Sequence, residues 1–303
     1  MKHLLKMLDL TNGDIVGILD LADRLKYEQK HGIPHPVLQG KTLGMIFEKA
    51  STRTRVSFEV GMYQLGGLPL FLSSDDLQIG RGEPVQDTAR VLSRYLDGIM
   101  IRTYRQSEAD TLAATGSVPV INGMTDFAHP CQVLADLMTV REYKGALDGL
   151  KLCFIGDGDN MMDSLIVGGL KMKMEVAVSC PSGHKPSPLV LDFAAAHPAF
   201  SLTTDPFEAA RGADVVVTNA WNNEVGEEAE KRRQEFAGYQ VSEELLKAAK
   251  PDAMVLHRMP AHRGEEITAE VLEKHSKEIF DEAENRLHAQ KAVLVKLLGK
   301  QAG

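Results

Sequence analysis

Three cysteines in 303 residues, Cys131, Cys153 and Cys180, are too few and too scattered for a disulfide framework or a zinc site. No run of eighteen uncharged apolar residues occurs, which excludes a membrane-spanning helix. Positive charge is not in excess either: 34 Lys and Arg stand against 42 Asp and Glu, a net charge of -8. General nucleic-acid and membrane-surface binders need a basic footprint and are excluded on that ground. Any anionic ligand must therefore meet a local basic cluster. The first ten residues place Lys2, Lys6 and Asp9 among leucines, with no uninterrupted apolar stretch and no small-residue cleavage site, so a secretory signal is not expected. Walker sequences, internal repeats and low-complexity tracts are also lacking. A reducing cytoplasm is the expected setting.

With 44% hydrophobic and 25% charged residues the chain has globular composition, and its length suits two domains that each bury a core. Residues 11–30 carry Ile15, Val16, Ile18, Leu19, Leu21, Ala22 and Leu25 at helical spacing behind Thr11 or Asn12 as cap. Short apolar runs at 42–47, 69–72, 98–101 and 118–121 then alternate with helical stretches such as 85–95 and 132–143. A second series of runs lies at 151–155, 176–179, 215–218 and 254–256, and residues 282–298 read as a last helix with a broad apolar face. The charge-rich segment 227–235 reads as a solvated helix or loop. Such alternation predicts α/β architecture: two doubly wound parallel-sheet domains, residues 1–147 and 148–303, with a cleft between them. The final helix, 284–299, is free to pack back on the first domain. Ligands of such sheets bind beyond the carboxyl ends of the strands, so the loops there come first in the search for chemistry.

The loop Glu48-Lys49-Ala50-Ser51-Thr52-Arg53-Thr54-Arg55 follows a predicted strand and opens a predicted helix. It offers a phosphate two kinds of hydroxyl, a guanidinium and the unpaired N–H groups of a helix N-terminus. Cations in the first turn oppose the helix dipole unless an anion neutralises them, which weighs against a plain capped surface helix. His129-Pro130-Cys131-Gln132 also opens a helix and supplies donors for a carbonyl or phosphate oxygen, and Arg102 sits at a strand's carboxyl end. Ile155-Gly156-Asp157-Gly158 begins like a dinucleotide fingerprint, but Met161 stands where its third glycine belongs. Neither a nicotinamide cofactor nor a metal is expected.

Together these segments, with Gly156-Asp157-Gly158-Asp159-Asn160 and Glu282-Ala283-Glu284-Asn285-Arg286, resemble the ornithine/aspartate carbamoyltransferase family in order and spacing over essentially the whole chain. Residues 76–84, Asp-Leu-Gln-Ile-Gly-Arg-Gly-Glu-Pro, resemble its ornithine branch. The resemblance implies a carbamoyl phosphate domain followed by an acceptor domain. Ser51, Thr52, Arg53, Thr54 and Arg102 would hold the phosphate, His129 and Gln132 the carbamoyl group. Arg286 would come from the last helix and Gln78 from an adjacent subunit of a homotrimer. Thr54, Arg102 and His129 would stabilise the oxyanion as a neutral amine attacks. The product would be citrulline, made from ornithine for arginine biosynthesis.

On the acceptor side the resemblance implies Asn160, Asn219, Asn223, Glu224, Arg258 and Met259, with Arg258 also placed among the catalytic candidates. Here the chain departs from the family pattern. An aspartate is replaced by Asn219, a Ser-Met pair by Asn223 and Glu224, and His-Cys-Leu-Pro by His257-Arg258-Met259-Pro260. Asp159 replaces an asparagine common in the ornithine enzymes. The Asn219 and Arg258 changes make the pocket more positive by about two charges, which an ammonium substrate disfavours unless Glu224 and Asp159 compensate. If ornithine is the acceptor, Arg258 is expected to turn back onto Glu224, the nearest candidate by motif position, or onto another acidic neighbour. Two alternatives follow: a different, anionic amine acceptor gripped by Arg258, and an inactive paralogue that still binds carbamoyl phosphate.

Overall fold

A computed structural model of the chain describes residues 1–75, 77–78, 82–222 and 224–299. Packing divides it into one unit of Met1–Met138 with Asn285–Gly303 and another of Thr139–Glu284. Both are built on wholly parallel sheets, as the βα alternation requires.

The first unit begins with helix α1 (Asn12–Lys30), where Thr11 and Asp14 form a reciprocal capping box. Strand β1 (Thr42–Phe47) runs into helix α2 (Thr52–Gln64), then β2 (Leu68–Ser73), α3 (Val85–Leu92), β3 (Gly98–Arg102), α4 (Gln106–Thr115), β4 (Val120–Met124) and α5 (Pro130–Lys144). The sheet order is β2-β1-β3-β4. Central β3 is buried along its whole length, while edge strand β2 exposes Leu68, Leu70 and Phe71. Ile46, Ile99, Ile101 and Val120 pack with Ala89, Ala109 and Leu112 from the helices into one core.

In the second unit β5 (Lys151–Ile155), α6 (Asn160–Lys171), β6 (Glu175–Ser179), α7 (Pro188–Ala195), β7 (Phe200–Thr203) and α8 (Pro206–Ala210) come first. After them run β8 (Val215–Thr218), α9 (Gly226–Glu235), α10 (Glu243–Leu246), β9 (Met254–His257) and α11 (Ala269–Lys274). The order β7-β6-β5-β8-β9 reverses between β5 and β8, which makes their carboxyl ends the topological switch point. Its core joins Cys153, Ile155, Val216 and Val255 to Trp221 and Phe236, whose rings stack at 4.9 Å. The charge-rich segment forms the solvated helix α9, with Ala229 its buried residue.

Helix α12 (Ser276–Leu298) is the last helix among the described residues, and its residues from Asn285 onward belong to the first unit. It meets α2 closely at Gly61, where a Cβ would lie 3.2 Å from the Lys291 side chain. Buried Lys291 reaches His35 Nε2 at 2.6 Å and Gln64 Oε1 at 3.0 Å, and burial pushes its ammonium down to about 8. This contact fixes the helix that carries Arg286. Among the described residues no helix is long and apolar enough to cross a membrane.

Candidate active site

In the first unit the chain leaves β1 at Phe47 and turns into α2 at Ser51. Ser51 is the N-cap, its hydroxyl accepting from Thr54 N at 3.3 Å and donating to Thr54 Oγ1 at 3.1 Å. Two guanidinium groups converge on the same buried hydroxyl: Arg286 Nη2 at 3.0 Å and Arg102 Nη1 at 3.5 Å. Arg102 arrives from the end of β3, which pairs directly with β1. Gly123 on β4 lets this geometry close, because a Cβ there would meet Met100 Sδ at 2.6 Å and come within 3.5 Å of the Thr54 side chain. The structure thus brings Ser51, Thr54, Arg102 and Arg286 together at a helix N-terminus, where positive charge and the dipole both favour an anion. Thr52 and Arg53 belong to the same first turn of α2 and are exposed.

His129 and Gln132 lie at the start of α5 and are buried. Gln132 Nε2 donates to Asp136 Oδ1 at 3.0 Å, so a carboxylate one turn on fixes the orientation of the amide. Sequence reading gave Asp136 no role, although its i,i+4 spacing from Gln132 was visible. Gln78 is exposed beyond the end of β2. A cavity of about 480 Å³ opens beside the α2 loop and is lined by Glu48, Ser51, Thr52, Arg55 and Phe71 among others.

The second unit builds a comparable turn and fills it differently. Gly156 follows β5 with a φ of +149°, and at Gly158 a Cβ would sit 2.3 Å from the carbonyl carbon of Lys185. Gly158 therefore serves the packing of the 184–185 backbone, which leaves a dinucleotide reading without support. Asp159 caps α6, accepting from Met161 N at 2.8 Å and Met162 N at 3.2 Å. Its other oxygen accepts from Asn219 Nδ2 at 2.9 Å, and Asn219 Oδ1 accepts from Arg258 Nε at 2.6 Å. Burial pushes the Asp159 carboxyl up, and the Arg258 charge opposes that rise.

Of the two partners expected for Arg258, Glu224 or another acidic neighbour, the structure links it through Asn219 to Asp159, while Glu224 is exposed. Asn219 can link Asp159 to Arg258 because β5 and β8 are paired, and so are β8 and β9, which sets the three carboxyl ends side by side. Asn160 is buried in the first turn of α6, and Met259, with a φ of 51°, follows Arg258. Asn223 lies outside the described residues, as do Asp76, Ile79, Gly80 and Arg81 of the 76–84 motif. Buried His257 accepts from Met259 N through Nδ1 at 2.9 Å, so Nε2 carries the proton donated to Glu266 at 2.9 Å. His262, Glu265 and Glu266 lie within ligand distance of one another. Glu265, however, pairs with Arg233, and Glu266 accepts from His257 and the His262 amide.

A parallel α/β protein in which a strand-end arginine, an arginine of the last helix and a helix N-terminus converge has the build of a class that binds small phosphorylated substrates. The relatives narrow that class. Residues 2–142 match the aspartate/ornithine carbamoyltransferase carbamoyl-P binding domain, and residues 148–297 match the Asp/Orn binding domain. An ornithine carbamoyltransferase of Carboxydothermus hydrogenoformans is 55% identical over 98% of each chain, and that of Thermococcus kodakarensis is 49% identical over 98% of this chain and 96% of its own. The solved ornithine carbamoyltransferase of Pyrococcus furiosus superposes with a TM-score of 0.93 at 48% identity, covering 98% of this chain and 97% of that one. The chain belongs to the aspartate/ornithine carbamoyltransferase family.

Proposed function

We infer that this chain transfers the carbamoyl group of carbamoyl phosphate to the side-chain amine of ornithine, forming citrulline and phosphate. One observation carries the reading from within the molecule: Arg102 and Arg286 converge on Thr54 at the N-terminus of α2. Full-length relatives named ornithine carbamoyltransferase supply the acceptor. Ser51, Thr52, Arg53, Thr54, Arg102 and Arg286 hold the phosphate, while His129 and Gln132 hold the carbamoyl group. Neutral amine attacks the carbonyl carbon, and donors from Thr54, Arg102 and His129 stabilise the oxyanion as it forms. The C–N bond forms, the bond from carbon to the phosphate oxygen breaks, and the amine proton leaves on the departing phosphate. Orientation and charge do the work, so a dedicated protein base is not required.

Residues 1–147 with helix residues 284–299 serve carbamoyl phosphate in this account, and residues 148–283 serve the acceptor. Asn160, Asn219, Asn223, Glu224, Arg258 and Met259 form the acceptor side. Arg258 is engaged by Asn219 next to Asp159, which favours an amine acceptor over an anionic one. The enzyme works in the cytoplasm in arginine biosynthesis as a homotrimer. Support for assembly comes from the exposed apolar residues of the sheet-edge strand β2 and of Val56, Val60 and Tyr63 on α2. Gln78, exposed just past β2, is then the residue offered to a neighbouring subunit. The test is a panel of amines with labelled carbamoyl phosphate: citrulline from ornithine supports the reading. Turnover confined to an anionic amine, or phosphate release with no amine in the panel, overturns it.

A further inference from the structure

Immediately behind the phosphate loop, two carboxyl groups share one hydroxyl. Glu48 follows the last residue of β1, and its backbone N–H donates to Arg102 O at 2.9 Å. Thr103, the residue after Arg102, has its Oγ1 in hydrogen-bond contact with both Glu48 Oε2 and Glu108 Oε2. A threonine hydroxyl has one hydrogen to give, and an ionised carboxylate has none. Two ionised glutamates cannot both be satisfied by it, so one must be an acid that donates to the threonine oxygen.

Arg105 decides which. Its Nε donates to Glu108 Oε1 at 2.9 Å and its Nη2 contacts the same oxygen, so Glu108 is the ionised member and Glu48 the neutral one. The titration directions agree. Burial, with the nearby Glu108 charge, pushes the Glu48 carboxyl up against the opposing effect of the Thr103 contact. Burial also acts on Glu108, but bonds from Thr103 and Arg105 outweigh it and hold that carboxyl down.

The other charged groups around Glu48 leave this balance in place. Lys49 reaches over the Tyr104 ring, Arg55 is paired with Glu59 and lies over Phe71, and Asp126 acts on Arg105. Asp75 shares the cavity that Glu48 lines together with Ser51 and Thr52. An ionised Glu48 would therefore add a negative charge beside the residues assigned to the phosphate dianion.

We propose that Glu48 is a positioning residue for the phosphate loop, held as the neutral acid by the hydroxyl it shares with Glu108, and that carbamoyl phosphate affinity falls as Glu48 ionises. The proposal rests on loop 51–54 being the carbamoyl phosphate site. Its sign is fixed: the neutral form binds, so affinity is lost as pH rises through the raised Glu48 titration.

Binding of carbamoyl phosphate to the full-length parent and to Glu48→Gln, across about pH 5 to 9, tests it, because both proteins meet the same titration of the substrate itself. The parent-to-variant ratio of Kd should stay near unity at the acid end and rise on the order of tenfold towards alkaline pH. Glu108→Gln removes the like charge and should move that rise to lower pH. A flat ratio, or a rise unmoved in Glu108→Gln, overturns the proposal. Carboxyl carbon NMR of the free protein reads the same point without substrate. One glutamate should titrate above the ordinary carboxylate range in the parent and be lost in Glu48→Gln; an ordinary titration of every glutamate overturns the proposal even if citrulline is made. If the raised titration and its effect on carbamoyl phosphate binding persist while ornithine is not carbamoylated, the functional reading fails instead.

Discussion

Helices α2 and α6 occupy corresponding places, each opening after a strand of a parallel sheet, yet their N-termini are electrostatic opposites. At α2 the cap is a neutral serine, and two guanidinium groups gather on Thr54, so positive charge collects at that end of the helix. At α6 the anion is the protein's own: Asp159 caps the helix and is joined through Asn219 to Arg258. The same dipole meets gathered cations at one helix and the protein's own carboxyl group at the other. A helix N-terminus alone therefore does not identify a phosphate site.

Removing the cations gathered at the N-terminus of α2 should break the contrast most severely. Arg53→Ala and Arg102→Ala each delete a charge-assisted donor worth about 1.5–3 kcal/mol, so each should weaken carbamoyl phosphate by roughly 10- to 100-fold in kcat/KM. Unchanged constants in both would remove the basic cluster from the site.

A second effect belongs to α6. Burial pushes the Asp163 carboxyl up to about 6, with Ser187 N donating to it at 3.0 Å. Because the folded state holds this proton more tightly than the unfolded state, the favourable contribution is complete below the unfolded value near 4 and is lost as pH rises through 6. Asp163→Asn keeps an acceptor for Ser187 and cannot ionise. Denaturant unfolding should show the variant gaining on the parent between pH 4 and 7, by up to about 3 kcal/mol. A difference independent of pH would contradict the assignment.

Smaller still is the effect expected at the acceptor side. Arg258→Cys combined with Asn219→Asp removes the internal cation and leaves Asp159 with a second carboxylate to receive the ornithine ammonium. The kcat/KM for ornithine should rise severalfold. A double variant matching the parent with every amine would show that neither position faces the acceptor. Dialysis against a chelator should have no effect, since the proposed chemistry routes no step through a metal; activity lost and then restored by a divalent ion would overturn that mechanism.

Much of this was legible where the signal is local. Strands at 42–47, 151–155 and 215–218 are bounded as the apolar runs predict, and the Ser51 cap follows from its place before a helix. β4 was expected at 118–121 and lies at Val120–Met124, because Asn122-Gly123 reads as a turn while the sheet needs a glycine beside Met100. β7, only four residues long and half-exposed at a sheet edge, gave no apolar run to read. α12 begins at Ser276, earlier than the apolar face at 282–298 suggested. The site divides in the same way. Motif loops could be read directly, whereas Asp159 with Asn219 and Arg258, or Glu48 with Thr103 and Glu108, are neighbours only because parallel strands align their ends.

The contrast between the two helix ends is tested most directly by a crystal structure with a non-hydrolysable carbamoyl phosphonate. The account predicts its phosphonate oxygens at the N-terminus of α2, within hydrogen-bond distance of Ser51, Thr54, Arg102 and Arg286. A phosphonate seated at the turn formed by residues 156–159 would contradict it.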